Sequence, residues 1–342
     1  MKLLVIRFSA LGDVAMTVPV IDSLARQYPS LEITVLSKPS MSVFFERLPK
    51  NVSFRGVDVK QYKGVRGMFR LFKELRVEGF KAVADLHDVL RSKVLRGFFR
   101  LTGAKVKCID KGRKEKKELT SASHKVFKQL PSSFERYQQV FQEIGFPLTL
   151  SFTSIFTEQK EDEHAFCSVH PPKAFGEKWI GVAPFAAHQG KILPEETTCE
   201  LIGLLAEDAS NRIFLFGGGK VEKEKMDKWA DGRPNVISLA GSLSMEGELS
   251  LISHLDVMVS MDSANMHLAS LVGTLVVSVW GATHPYAGFI GWNQSVDNAV
   301  QVELPCRPCS VFGNKPCHRN DYACLTQIKA TDILTKIQHI TR

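Results

Sequence analysis

Short apolar runs recur along the chain, bounded by glycine, proline and polar turns, and longer segments with apolar residues three and four apart lie between them. Lys2–Phe8 (KLLVIRF) is the first run and reads as a buried strand. Ala15–Tyr28 places Val18, Ile21, Leu24 and Ala25 on one side of a helix. Leu31–Ser37, Val52–Val57, Lys81–Leu86 and Lys105–Asp110 read as further strands. Met41–Leu48, Tyr62–Glu78, Arg91–Leu101 and Phe134–Ile144 read as helices, with Gly79, Gly103 and Gly145 just past the last three. Lys111–Lys125 is almost free of apolar residues and reads as a mobile loop. Ser151–His170 is polar and leads to Pro171-Pro172, the best boundary between domains.

A second series follows the prolines. Trp179–Ala183, Arg212–Phe216, Asn235–Leu239, Asp256–Ser260 and Thr274–Trp280 read as strands. Pro194–Ala209, Glu222–Asp231, Met245–Ser253 and Ala330–Ile340 read as helices. Two series of alternating strands and helices predict an α/β protein with two halves, residues 1–170 and 173–342, and a cleft between them. The N-terminal half lacks GxGxxG and GxxxxGK[ST], so a dinucleotide site or a P-loop is poorly supported.

Candidate chemistry sits at predicted strand ends, where open α/β sheets place ligands. Asp13 follows the first strand, where a carboxylate serves either as a general base or as a helix cap. Asp262 and Ser263 follow Asp256–Ser260 and can cap the helix that carries His267. That helix start suits phosphate. The Asp262 carboxylate would repel phosphate, which makes it a cap or a ligand to a cation or a hydroxyl. Lys191 lies in the loop after the first strand of the second half, placed for a diphosphate. Gly217-Gly218-Gly219 lets backbone come close to a ligand.

Composition adds two things. The net charge of +8 is uneven: Lys60–Lys128 holds 20 Lys/Arg and 7 Asp/Glu, so it carries +13 and the remainder −5. Such a half suggests an anionic partner: a phospholipid, a lipid-linked phosphate or a nucleic acid. Stacking aromatics are not interleaved with the charges of Lys111–Lys125, which argues against a single-strand nucleic-acid binder. Arg7 and Asp13 interrupt the only apolar run near the start, and no window reaches the roughly 18 apolar residues that span a bilayer. A cytoplasmic protein with reduced cysteines is expected. Four of the seven cysteines form the series Cys306-x2-Cys309-x7-Cys317-x6-Cys324. It resembles a structural zinc site, with reduced thiols or a redox pair as the alternatives.

Several blocks, in order along nearly the whole chain, resemble one family. They are RFSALGDV (Arg7–Val14), DLHDVLRS (Asp85–Ser92), GKILP (Gly190–Pro194), FGGGKVE (Phe216–Glu222) and MDSANMHLAS…VWGATHP (Met261–Pro285). The chain is similar to glycosyltransferase family 9, the lipopolysaccharide heptosyltransferases. The resemblance implies a GT-B fold, two Rossmann-like domains facing across a central cleft. The first would bind the acceptor. The second would bind the nucleotide sugar and carry the Cys-rich segment 306–324 and a terminal helix. It implies inverting transfer of a heptose from ADP-heptose to the inner core, with no catalytic metal. Asp13 would be the base and Lys191 the diphosphate ligand. Glu222 would hold the ribose, Asp262 would contact the donor sugar, and Ser263, Ala264 and His267 would line the diphosphate pocket. Ser9, Arg91, Lys111 and Arg113 would meet an anionic glycolipid acceptor at the inner face of the membrane. The family usually has glycine where this chain has Ala264, which opens the alternative of another nucleotide sugar or another acceptor.

Overall fold

The computed structural model describes residues 1–156 and 165–341; the central part of the polar Ser151–His170 stretch therefore lies outside the described residues. The chain divides into two compact units. The first contains Met1–Lys111 and Ser132–Ile155, the second Gly112–Pro131 and Phe156–Arg342.

In the first unit, strands β1 (Lys2–Ile6), β2 (Glu32–Ser37), β3 (Val52–Gly56), β4 (Ala82–Asp85) and β5 (Lys105–Cys108) form one parallel sheet in the order β3-β2-β1-β4-β5. β1 is buried almost throughout because helices cover both faces, which is why its sequence reads as a continuous apolar run. Helices α1 (Leu11–Ala15) and α2 (Val18–Gln27) follow β1, α3 (Gly64–Arg76) follows β3, and α4 (Leu90–Arg100) follows β4. Phe72 on α3 meets Phe99 of α4 at 5.1 Å between ring centroids, so the two basic helices share an aromatic seam. The short helix expected over Met41–Leu48 is a tighter turn at Pro39–Phe44.

Residues 111–125 depart from the mobile loop expected of them. Arg113–Leu119 forms helix α5, from residues that are good helix formers, and its buried Lys116 and Leu119 lie three apart on one face. This face belongs to the second unit. Leu119 and Leu130 cluster with Ala287, the Lys116 ammonium stands 4.1 Å from the centre of the Phe289 ring, and Phe127 packs on His284 and Tyr286. Lys125 Nζ donates to the carbonyls of Pro305 and Arg307 at 3.1 and 2.6 Å. The chain then re-enters the first unit as α6 (Ser133–Ile144), capped by Ser132 and Glu135 reciprocally.

The second unit repeats the plan. Strands β6 (Lys178–Ala183), β7 (Asn211–Leu215), β8 (Val236–Ser238), β9 (Val257–Met261), β10 (Val276–Trp280) and β11 (Ala299–Gln301) form a parallel sheet in the order β11-β10-β9-β6-β7-β8. Helices α7 (Glu195–Ala206), α8 (Lys220–Ala230), α9 (Met245–His254), α10 (Ala264–Leu271), α11 (Ala323–Thr326) and α12 (Ala330–Ile340) accompany it. Both sheets have the doubly wound order, in which the winding reverses beside the first strand. Residues 165–170, upstream of Pro171-Pro172, already pack on this unit: Phe166 meets Trp179 and His254 at 5.7 and 5.1 Å.

The Cys-rich segment is organised by Arg307, only 4% exposed. Its guanidinium donates to the carbonyls of Gly281 (2.6 Å), Trp280 (3.2 Å), Thr283 (3.0 Å) and Val302, and to Gln301 Oε1 (3.0 Å). Burial pulls its pKa below the usual guanidinium value. Cys306, Cys309, Cys317 and Cys324 are free thiols. Among the described residues no three His, Cys, Asp or Glu side chains stand in an arrangement that could hold a metal. Backbone carbonyls gathered on one arginine hold the segment.

Replacing Arg307 by Ala orphans several buried acceptors at once, and each costs about 1–3 kcal/mol. Chemical unfolding of the variant, followed by circular dichroism, is expected to show a loss on the order of 3 kcal/mol or more. A loss below about 1 kcal/mol would contradict this account of the segment.

Candidate functional site

The first unit presents a charged cluster at the C-terminal edge of its sheet, between β1 and β4. The chain leaves β1 through Arg7, a charged residue in an otherwise apolar run. Arg7 is buried because it has partners: one guanidinium nitrogen donates to the Leu86 carbonyl at 2.6 Å, and another pairs with Asp13 Oδ2 at 2.7 Å. The same Asp13 oxygen accepts the Ala10 N–H at 3.1 Å, so Asp13 reaches back to cap α1 as well. Its side chain keeps 37% exposure against 7% for Arg7, so the carboxylate faces outward from a buried cation. On α6 the Tyr137 hydroxyl donates to the Asp13 carbonyl at 3.4 Å, and burial pushes that phenol up to about 12.

Asp85, at the end of β4, is fully buried. It accepts the N–H groups of His87 and Asp88 at 2.9 Å each and pairs with Arg96 at 2.7 Å. This turn aims the His87 ring at the other strand end. His87 Nδ1 accepts the Phe8 N–H at 3.4 Å, so the ring proton sits on Nε2, which donates to Ser9 Oγ at 3.4 Å. Burial, followed by the positive charges of Arg7 and Lys111, pulls His87 down to about 4, so the ring is neutral at physiological pH. Lys111 Nζ reaches the Asp88 carbonyl at 3.5 Å. Ser9, Asp13 and Lys111 therefore gather around His87, while Arg91 stands exposed at the start of α4 and Arg113 lies on α5 of the other unit.

The second unit has its cluster at the corresponding place, between β6 and β9. Lys191 ends the short turn Gln189–Lys191 that follows β6, and Asp262 directly follows β9. They form an ion pair at 2.9 Å with the side chains 15% and 5% exposed. Asp262 is thereby a partner to a cation and not the helix cap. Ser263 occupies the N-cap position of α10, yet its side chain makes no capping bond and meets Ser260 Oγ at 3.3 Å. The first N–H groups of α10, beginning at Ala264, thus have no side-chain cap, and His267 lies buried one turn further on.

Glu222, in the first turn of α8, accepts the Gly218 N–H at 2.7 Å. A Cβ on Gly217 would lie 3.0 Å from Phe185 Cδ2 and 3.1 Å from Glu222 Oε2, so the backbone there stays slim. Phe185 stacks on Trp229 at 5.6 Å with an interplanar angle of 14°. Sequence reasoning passed over Arg7, His87, Phe185 and Trp229 as site residues. Arg7 alone carried a signal, a cation inside the first apolar run.

The glycosyltransferase family 9 (heptosyltransferase) profile matches residues 68–318. Lipopolysaccharide heptosyltransferase 3 of Escherichia coli is 24% identical over 316 residues, covering 86% of this chain and 88% of that protein. Lipopolysaccharide core heptosyltransferase OpsX of Haemophilus influenzae is 25% identical over 350 residues, covering 98% and 93%. In fold, the chain is similar to the E. coli heptosyltransferase WaaC solved with ADP, with a TM-score of 0.70 at 20% identity over 99% of this chain and 100% of that one.

The His87 geometry has a consequence for acid stability. The folded protein protonates this ring near pH 4, the unfolded chain near the ordinary 6.5. Between these values the unfolded chain binds more protons, so the contribution of His87 is complete above pH 6.5 and is lost as pH falls toward 4. In urea unfolding, the stability difference between wild type and His87→Asn is expected to shrink by on the order of 2 kcal/mol from pH 7 to 4.5. A difference constant across that range would contradict a buried neutral ring.

Proposed function

Because the chain belongs to glycosyltransferase family 9, the heptosyltransferases, we propose that it transfers a heptose from ADP-heptose to a hydroxyl of the lipopolysaccharide inner core, with inversion and without a catalytic metal. The observation that carries this reading is the mostly covered Lys191–Asp262 pair beside the uncapped start of α10. An ammonium and free helix N–H groups at one switch point suit a diphosphate. E. coli WaaC, similar in fold, was solved with ADP and with ADP-2-deoxy-2-fluoro heptose, which supports an ADP-linked donor here.

In this reading Asp13 takes the proton from the attacking hydroxyl. The oxygen then attacks the anomeric carbon from the face opposite the nucleotide, and ADP departs with the bonding electron pair. Arg7 pairs with the Asp13 carboxylate at 2.7 Å and holds it in place. Lys191 and the α10 N–H groups stabilise the charge that grows on the departing diphosphate. Asp262, next to the lysine, takes a hydroxyl of the donor sugar. Glu222 takes the ribose, and Ser263, Ala264 and His267 line the phosphates. Ser9, Arg91 and Lys111, in the unit of Asp13, meet the anionic acceptor, and Arg113 joins them as an exposed cation of the second unit. No helix among the described residues is long and apolar enough to cross a membrane. The basic α3–α4 region suits an enzyme that works from the cytoplasm against an anionic membrane face.

Ala264 favours a second reading, a family member with another nucleotide sugar. Its methyl group stands at the first residue of α10, where the phosphates would approach. Transfer assays with ADP-, GDP- and UDP-sugars decide between the two. The first reading predicts turnover with ADP-heptose alone. Turnover with a GDP- or UDP-sugar and none with ADP-heptose would replace the donor.

Asp13→Asn is expected to lower kcat at least about 100-fold while ADP affinity stays within about twofold of wild type. Full turnover by this variant would remove Asp13 from the role of base.

A further inference from the structure

Three loops of the second unit meet at three glycines. The turn that carries Lys191 contributes Gly190, the loop after β10 contributes Gly281, and the Cys-rich segment contributes Gly313. A Cβ on Gly190 would stand 2.8 Å from the Gly313 carbonyl oxygen and 3.0 Å from Ala282 Cβ. One on Gly281 would stand 2.6 Å from the Gly190 carbonyl oxygen. One on Gly313 would stand 2.6 Å from Lys191 Cγ and 3.3 Å from its Cδ and Cε. Backbone bonds hold the loops in this register: Ala282 N–H donates to Gly190 O at 2.8 Å, and the N–H groups of Cys309 and Ser310 donate to Ala282 O at 3.1 and 3.2 Å. Ser310 Oγ donates to Asn314 Oδ1 at 3.2 Å, closing the turn that contains Gly313.

The aliphatic stem of Lys191 therefore runs along bare backbone, and its tip ends on Asp262. We infer that Gly313 is a positioning residue for Lys191, and that the Cys-rich segment is the wall that sets the reach of this lysine toward the donor diphosphate. The inference rests on the proposed role of Lys191. Its physical basis is preorganisation: a lysine has four rotatable bonds to freeze, and a wall along Cγ, Cδ and Cε removes most of those rotamers before a ligand arrives. A methyl group at position 313 would collide with Cγ, near the root of the side chain. The whole chain beyond Cγ would have to swing, carrying Nζ away from Asp262.

The test is calorimetric titration with ADP and with AMP, using the full-length protein. Gly313→Ala is expected to weaken ADP binding about tenfold and to leave AMP binding unchanged. Because the effect acts through Lys191, the same substitution made on top of Lys191→Ala should cost less than about twofold. Gly313 has φ +72°, so an alanine there is also strained in its backbone. Two variants separate strain from contact. Gly232→Ala has the same strain, at φ +71° with nothing within 4 Å, and should bind ADP as wild type does. Gly313→Asn tolerates the left-handed backbone yet carries the same Cβ, and should still lose ADP affinity.

Wild-type ADP binding by Gly313→Ala and Gly313→Asn, with loss in Lys191→Ala, would overturn the inference and leave the donor reading standing. An equal loss from Gly313→Ala with and without Lys191 would also overturn it. Equal ADP binding by wild type and Lys191→Ala would remove the donor reading, and this inference with it.

Discussion

A mostly covered ammonium and a buried carboxylate meet 2.9 Å apart where the sheet of the second unit reverses its winding, and much of that unit is arranged around keeping them together. Taking either charge out of water alone would cost several kcal/mol, so each needs the other in good geometry. Lys191 comes from the turn after β6 and Asp262 from the end of β9, adjacent strands that bring the two turns side by side. The loop after β10 and the Cys-rich segment then close over the lysine. Arg307 ties both to one point by donating to carbonyls on each side. In the proposed reading, a diphosphate entering this place would find a mostly covered cation already neutralised by a partner it can replace. This is cheaper than stripping water from an exposed lysine at the moment of binding.

The first unit reaches a comparable solution with different residues. Its switch point between β1 and β4 also holds ion pairs with one buried member each, Arg7 with Asp13 and Asp85 with Arg96. Here the charge left facing outward is the carboxylate, and the buried member is the cation. The two units thus present opposite chemistry on the same scaffold. One offers a half-exposed anion backed by arginine and a neutral histidine, the other a mostly covered cation backed by aspartate and a helix start. In the proposed reading the anion accepts a proton and the cation receives departing negative charge, the two groups a glycosyl transfer needs.

Most of the strands were legible because parallel strands covered on both faces leave uninterrupted apolar runs. Lys2–Phe8, Leu31–Ser37 and Arg212–Phe216 match β1, β2 and β7 within about two residues. Short or edge elements were harder: β11 has three residues and an intermediate burial pattern, too little for a periodic signal. Helix α5 was hidden for another reason. Its stability comes from Phe289, Leu130 and Ala287, none of which a local reading of RKEKKEL can see. The packing of the cysteine series was hidden in a similar way, because spacing alone does not say which groups converge. Arg307, directly before the first proline of that segment, organises it. Asp13, Lys191 and Asp262 were legible as polar residues at strand ends. Their partners were not, since Arg7, His87 and Gly313 acquire meaning only from neighbours far away in sequence.

The measurement that bears most directly on this account is a crystal structure of the protein with ADP bound. The account predicts Lys191 Nζ at about 3 Å from an oxygen of the terminal phosphate, drawn from Asp262, with N–H groups at the start of α10 donating to the same diphosphate. A structure in which ADP binds elsewhere, with the Lys191–Asp262 pair intact and the start of α10 unoccupied, would contradict it.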